Sequence, residues 1–332
     1  MFDKNEYLKS IQEKLKAEEK EIELGLSRFR EATNSIEYKT ALQAIAALKE
    51  PEAVKKGMEL LTDKQEDTTV RILILQKALS GIGKSTEYIK ACLSIAEDNS
   101  EQIELRRAVL SVLRALSFSS RIFMSLRPEY MTMLRSLLDD PDSVLREGAA
   151  EDLAKEKDEY VQRRLIDGLT GRETPIVRTA KAIQLLGYDI HAEHYPVLRR
   201  ILQDPASDET TKREAVLVLA NDVESKDLLT ELMMDQAQPI EIRKSSATAL
   251  TTCNPEYFTD IAKSLILNEK EDKDLREVCL NALMHSSDVD ALYYDDDFLH
   301  KITTLQSSTT SPGLKQLSTK FLGNAMKQKR KS

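Results

Sequence analysis

The stretch Pro175-Ile176-Val177-Arg178-Thr179-Ala180-Lys181-Ala182-Ile183-Gln184-Leu185-Leu186-Gly187 decides the fold, because its pattern returns, degraded, along nearly the whole chain. Ile176, Val177, Ala180, Ile183 and Leu186 recur at helical spacing on one face, and Gly187 falls where a helix stop belongs. The spacing predicts one helix with an Arg beside its apolar stripe. Aligning other segments on a basic residue preceded by an apolar one places anchors at Lys39, Arg71, Arg106, Arg146, Arg178, Arg213, Arg243, Arg276 and Lys315. Successive anchors lie 30 to 40 residues apart, the period of a helical-hairpin repeat whose insertions fall in loops.

After each anchor helix and a short polar break comes a second apolar-periodic segment, such as Ala53 to Leu61, Tyr88 to Ala96 or Tyr257 to Leu267. The breaks carry Asp with Pro or Ser, as in Asp139-Asp140-Pro141-Asp142-Ser143 and Asp204-Pro205-Ala206-Ser207-Asp208. Such residues end one helix and start the next, since Asp and Ser accept from free amides at an N-terminus and Pro tolerates the first turn.

The unit Asp-(Pro)-x-x-Val-Arg-x-x-Ala-x-x-x-Leu resembles HEAT repeats, especially the short bacterial type related to phycobilin-lyase-like repeats. The residues that carry it are Asp142, Val144, Arg146, Ala149 and Ala150, then Val177, Arg178, Ala180, Leu185, Leu186 and Gly187; Asp67, Val70, Arg71 and Leu75 carry it earlier, and Ile242, Arg243, Ala249 and Leu250 later. The unit at Arg106 lacks the preceding Asp, and the last unit has Lys315 for Arg. The resemblance implies an all-α fold, a right-handed α-α superhelix (HEAT-like solenoid) of about nine helical hairpins. The expected division is a charged leader or capping helix over residues 1–34, the solenoid over 35–326 and a basic tail over 327–332.

Composition agrees with helices packed closely on one another. Of 332 residues, 41% are apolar, Trp is absent, and Gly (10) and Pro (9) are too few for a turn-rich β protein. The net charge of −8 disfavours nucleic acid as a partner, since phosphate needs a positive field. Cys92, Cys253 and Cys279 are far apart and sit in apolar helical patterns, which reads as reduced core thiols and a cytoplasmic location. No apolar signal core follows Met1 and no run is long enough for a membrane span.

Two connections exceed the repeat norm. Ser117 to Pro128 is apolar and basic together, and Ser286 to Asp297 is acidic with paired tyrosines. Because insertions in solenoids gather on binding faces, the expected partner-binding residues are Phe118, Arg121, Phe123 and Arg127 in the first, and Tyr293, Tyr294, Asp295 and Asp296 in the second.

The chemical motifs read as structure. Ala78-Leu79-Ser80-Gly81-Ile82-Gly83-Lys84-Ser85 satisfies a relaxed phosphate-loop pattern, yet Asp67 and Arg71 put it in the repeat register, where the glycines end a helix. Asp189-Ile190-His191-Ala192-Glu193-His194 offers two imidazoles and two carboxylates, but Gly187 and Pro196 place it in a loop running into a helix start. No His-Glu pair of the kind used by HEAT-like iron hydroxylases occurs, and no nucleophile elbow. The basic anchors are expected to pair with loop carboxylates of the same or adjacent unit, with Asp67, Asp142 and Asp208 in view for Arg71, Arg146 and Arg213, and with a nearby carboxylate for Arg178.

The sequence therefore points to a non-enzymatic scaffold or adaptor without cofactor or metal, binding a protein or peptide along one face. The resemblance brings up an alternative, a helical-repeat enzyme or accessory subunit of bilin-lyase or DNA-glycosylase type; the glycosylases use a positive groove with Trp, which this chain lacks.

Overall fold

Short loops opened and closed by hydrogen-bonding side chains cut this chain into helices. In five of them an Asp or Asn ends one helix and accepts the amide two residues on: Asp63 from Gln65 (2.9 Å), Asp98 from Ser100 (2.8 Å), Asp204 from Ala206 (2.9 Å), Asp235 from Ala237 (2.9 Å) and Asn268 from Lys270 (3.1 Å). The next helix is then capped four residues later, at Asp67, Gln102, Asp208, Pro239 and Asp272. The Asp caps bond the free amides directly, as when Asp208 accepts from Thr211 (2.7 Å).

The structure, a computed structural model, describes residues 20, 23–48, 50–286 and 289–330. Every regular element among them is helical. The chain divides into two compact units, Met1–Leu153 and Ala154–Ser332. The first holds α1 (residues 23–31), α2 (Ser35–Ala44), α3 (Pro51–Thr62), α4 (Thr68–Lys77), α5 (Leu79–Ile82), α6 (Thr86–Glu97), α7 (Ile103–Ser119), α8 (Arg127–Ser136) and most of α9 (Ser143–Lys155). The second holds α10 (Glu159–Leu169), α11 (Thr179–Leu186), α12 (Tyr195–Gln203), α13 (Glu209–Leu219), α14 (Lys226–Met234), α15 (Ile240–Cys253), α16 (Pro255–Leu267), α17 (Lys273–Leu283), α18 (Val289–Tyr294), α19 (Asp296–Ser308) and α20 (Pro312–Lys329).

Within each unit the hairpins stack as repeats. In the first, α2 packs on α4 and α4 on α7, while α3 packs on α6 and α6 on α8. In the second, α11, α13, α15, α17 and α20 follow one another as a layer, and α16 meets α19. One apolar core runs through the second unit from Ile183 and Val216 through Ile242, Phe258 and Leu280 to Phe298 and Phe321. This is the HEAT-like hairpin architecture that the sequence predicts. Of the expected leader, residues 1–19 and 21–22 lie outside the described residues; the rest docks through buried Leu26 and Phe29. Lys56 donates to the carbonyls of Phe29 (3.1 Å), Arg30 (2.6 Å) and Ala32 (3.1 Å), which α1 leaves open at its end. The expected tail begins inside α20, which runs on to Lys329.

A buried arginine ties successive hairpins together, four residues after the helix cap and eight after the loop Asx. Nε of Arg71 donates to the carbonyl of Leu61 (2.7 Å), Arg106 to Ala96 (2.9 Å), Arg243 to Met233 (2.8 Å) and Arg276 to Ile266 (2.9 Å). Each acceptor is the penultimate residue of the preceding helix, where carbonyls lack a helical partner and a cation is favoured. The rest of the guanidinium reaches a carboxylate just before the next repeat: Arg71 to Glu101, Arg106 to Asp140 and Arg243 to Glu271.

The register of the ladder differs from the sequence reading at three anchors. Lys39, Arg178 and Arg213 are exposed; the equivalent positions, four after the caps Asn34, Arg178 and Asp208, hold Tyr38, Ala182 and Lys212. Arg178 precedes α11 and makes no ion pair among the described residues, so its expected carboxylate partner is not found. Ile176 is buried from the loop, and α11 starts at Thr179, a shorter helix than the pattern predicts. Gly187 is its C-cap, as read. The upstream acids Asp67 and Asp208 cap helices, and Asp142 pairs with Arg107 instead of Arg146, which donates to the carbonyls of Asp140 (2.6 Å) and Pro141 (2.9 Å).

Candidate functional site

The apolar and basic connection between α7 and α8 is ordered by two contacts. α7 extends to Ser119, and the Ser120 hydroxyl donates to the carbonyl of Gly83 (2.6 Å). A 3-10 turn, Ile122–Leu126, then buries Phe123 edge-on against Tyr130 (5.0 Å between centroids). Phe123, only 1% exposed, is thus a core residue and contributes nothing to a surface. Phe118 is 83% exposed, Arg121 is exposed and Arg127 is half-buried in the first turn of α8.

The acidic connection behaves differently, because the charges of its Asp295 to Asp297 run are already matched. Tyr293 is buried against Phe321 (5.2 Å), while Tyr294 is half exposed beneath the Lys329 ammonium. Asp295 caps α19 through the Phe298 amide (3.0 Å) and receives Lys263 (2.8 Å); the Lys263 bond, then the amide, hold its carboxyl below the usual range. Asp296 pairs with Lys329 (2.8 Å) and Asp297 with Lys301 (2.6 Å). The acidic run is a helix start and not an unmatched field.

The phosphate-loop-like segment is a helix end. Arg71 to Leu75 is helical within α4, α5 is a single turn, and Ser85 caps α6 by accepting from Tyr88 (3.3 Å). A Cβ on Gly83 would lie 2.8 Å from Leu116, so glycine there lets this turn press on α7. The contact leaves an open hollow of about 500 Å³ between the turn and the end of α7. Leu79, Leu116 and Ile122 give it an apolar surface, and Lys84 and Arg121 stand beside them, both exposed and with side chains that make no ion pair or hydrogen bond among the described residues. No acidic side chain among the described residues lines it. Phe118 and Met124, both exposed, flank this end of α7; helical spacing puts Phe118 with Arg114 and Ser111 on the outer stripe, not beside Leu116. The sequence reading singled out half of this surface and missed the other wall, Leu79 and Lys84, which lies some 40 residues away in sequence.

A larger open groove, about 880 Å³, crosses α15, α17 and α20. Its polar groups are largely engaged: Lys244 pairs with Glu241 (2.7 Å), and Glu277 accepts from Ser311 (2.6 Å). His191 and His194 lie 5.7 Å apart, ring to ring, yet no group of three metal-ligating side chains occurs among the described residues. Burial lowers the His194 pKa. Burial also pushes the Cys92 and Cys279 thiols up to about 12, as unreactive core groups. No single described helix is long and apolar enough to cross a membrane.

No family model matches the chain, and no curated protein matches it. Among solved structures it is similar to an engineered protein (18% identity, 92% of this chain and 88% of that one, TM-score 0.43). It is similar also to human deoxyhypusine hydroxylase (15%, 77% and 99%, 0.32) and to the complex of CpcE and CpcF of phycocyanin lyase from Nostoc sp. PCC7120 (18%, 80% and 96%, 0.37). These are distant likenesses of helical architecture. They include a hydroxylase and a lyase, which overturns one expectation from the sequence: that the chain is not an enzyme does not follow from its being a helical-repeat protein.

Proposed function

We propose that this helical-repeat chain, with units of the short bacterial HEAT type, is a scaffold or adaptor of the cytoplasm that binds a protein or peptide, held in the first unit at the end of α7. The observation that carries the reading is the hollow between the α5 turn and the end of α7, with an apolar floor and two cations unpaired among the described residues, close in sequence to exposed Phe118 and Met124 at the same helix end. Several exposed apolar side chains around one helix end mark an interaction site more than scattered ones do. Three buried free thiols suit a reducing compartment.

A photo-cross-linking residue placed at Phe118 or Met124 tests it in living cells. Discrete adducts of matching size from both positions are expected, absent when the probe replaces exposed Met326 in the second unit. Equal labelling at all three positions would remove the reading.

A further inference from the structure

We infer that the partner segment seated in this hollow is an acidic peptide with a bulky apolar anchor, an inference that rests on the partner-binding reading above. The argument is charge matching on an apolar floor. Leu79, Leu116 and Ile122 form a surface that water solvates poorly, and an aliphatic or aromatic side chain from outside is the group that covers it. Beside it, Lys84 and Arg121 find no counterion among the described residues, although the chain has 56 acidic residues to 48 basic ones.

Several other basic side chains of the same unit are matched, Lys64 with Asp98 (2.6 Å), Arg107 with Asp142 and Arg114 with Asp152 (2.8 Å), while exposed Lys55, like Lys84 and Arg121, has no ion pair among the described residues; what sets Lys84 and Arg121 apart is the apolar hollow beside them. Among the described residues, two unpaired cations at the rim of an apolar hollow with no acidic lining make a local positive field, and an acidic segment completes it. Screening confines that field to roughly 8–10 Å, so it is read by a ligand already at the surface.

A polyanion fits less well. Nucleic acid or an anionic membrane brings many phosphates toward a chain of net charge −8, and no aromatic side chain among the described residues lines the hollow for bases to stack on. A short peptide brings only a few charges and its own anchor.

The hollow is also held open by the fold. The Ser120 hydroxyl bond to Gly83 and the close approach of Gly83 to Leu116 fix the two walls on each other, so a ligand meets a preformed site.

The test uses the full chain and a displayed library of short random peptides. Peptides selected on the wild-type chain are synthesised, and their affinities are measured by fluorescence anisotropy for wild type, Leu79→Ser, Phe118→Ser and Lys84→Glu/Arg121→Glu, each first shown to melt like wild type. The expected winners carry Asp or Glu around Leu, Phe or Ile, and lose about tenfold or more in affinity on the double charge reversal and again on raising salt. Winners that are neutral or basic, yet still depend on Leu79, would overturn the acidic-partner inference and leave the binding reading standing. Winners indifferent to Leu79→Ser and Phe118→Ser would remove both. Binding of phosphatidylserine vesicles or a single-stranded oligonucleotide that the charge reversal abolishes, with no acidic peptide selected, would also overturn the inference.

Discussion

Arg71 and Glu101 meet through two hydrogen bonds of 2.7 and 2.8 Å although 30 residues separate them, and both side chains are almost wholly out of water. A third bond, from Nε to Leu61, leaves the guanidinium tied to the helix before it and the loop after it. Desolvating the pair is costly, and the geometry recovers that cost only while both partners are present. Arg71→Met, which strands the Glu101 carboxylate, is expected to cost about 3–5 kcal/mol. The double variant Arg71→Met/Glu101→Leu should cost less than the two single changes summed. Urea denaturation followed by circular dichroism measures both, and strict additivity would show that the pair is not coupled.

The ladder has an unfinished rung. Arg276 keeps the helix-end bond to Ile266, but its second terminal nitrogen is buried without a hydrogen bond among the described residues, and burial lowers its pKa. Glu101 and Glu271 each stand immediately before a helix cap; the corresponding residue before the cap Ser311 is exposed Thr310. Thr310→Glu is expected to supply the missing carboxylate and stabilise the second unit by about 1 kcal/mol, with Thr310→Gln giving less. A melting temperature unchanged or lowered by Thr310→Glu would show that the rung cannot close.

Acid should expose the outer ion pairs. The Arg107 bond to Asp142 is the leading cause that holds this carboxyl below its ordinary value. A carboxyl depressed in the folded state contributes stability that is complete above its unfolded pKa, near 3.9, and is lost as pH falls through the folded value. The difference in melting temperature between wild type and Arg107→Met should therefore be present at neutral pH and shrink below about pH 4. A difference that stays constant down to the acid limit would mean that Arg107 acts through packing alone.

Much of this fold was legible because the repeat is written in residues with a direct physical task. Asp and Asn accept loop amides, Pro starts helices, and the basic anchor sits beside an apolar stripe. What the local pattern could not supply was register. Val177-Arg178 has the same local look as Val70-Arg71, yet Arg178 lies outside its helix and Arg71 is buried within one. The fixed interval from loop Asx to arginine, Asp63 to Arg71 or Asn268 to Arg276, was the better signal, since the Asx backbone amide and the arginine Nε both donate to carbonyls of the same helix terminus. The partner carboxylates were sought upstream and lie downstream, because stacking brings the next loop beside each arginine. The hollow was half visible for the same reason: Ser117 to Pro128 announced itself by composition, but nothing local joins it to Leu79 and Lys84. That contact depends on how α4, α5 and α7 pack.

Phe118 and Phe123 share one connection and were read from the sequence as a single surface, yet the fold gives them opposite tasks. Phe123 fills the space between the 3-10 turn and Tyr130, so Phe123→Ala removes a buried ring and is expected to cost about 3–5 kcal/mol. Phe118 has little to lose on truncation, and Phe118→Ser should change stability by no more than about 0.5 kcal/mol. Deleting the connection would confuse these effects, since partner binding would vanish with the core. The informative experiment is the pair of point variants, scored for both melting temperature and peptide affinity. Phe118→Ser should leave the melt in place, and a large loss of stability in that variant would mean that the exposed ring is part of the packing after all.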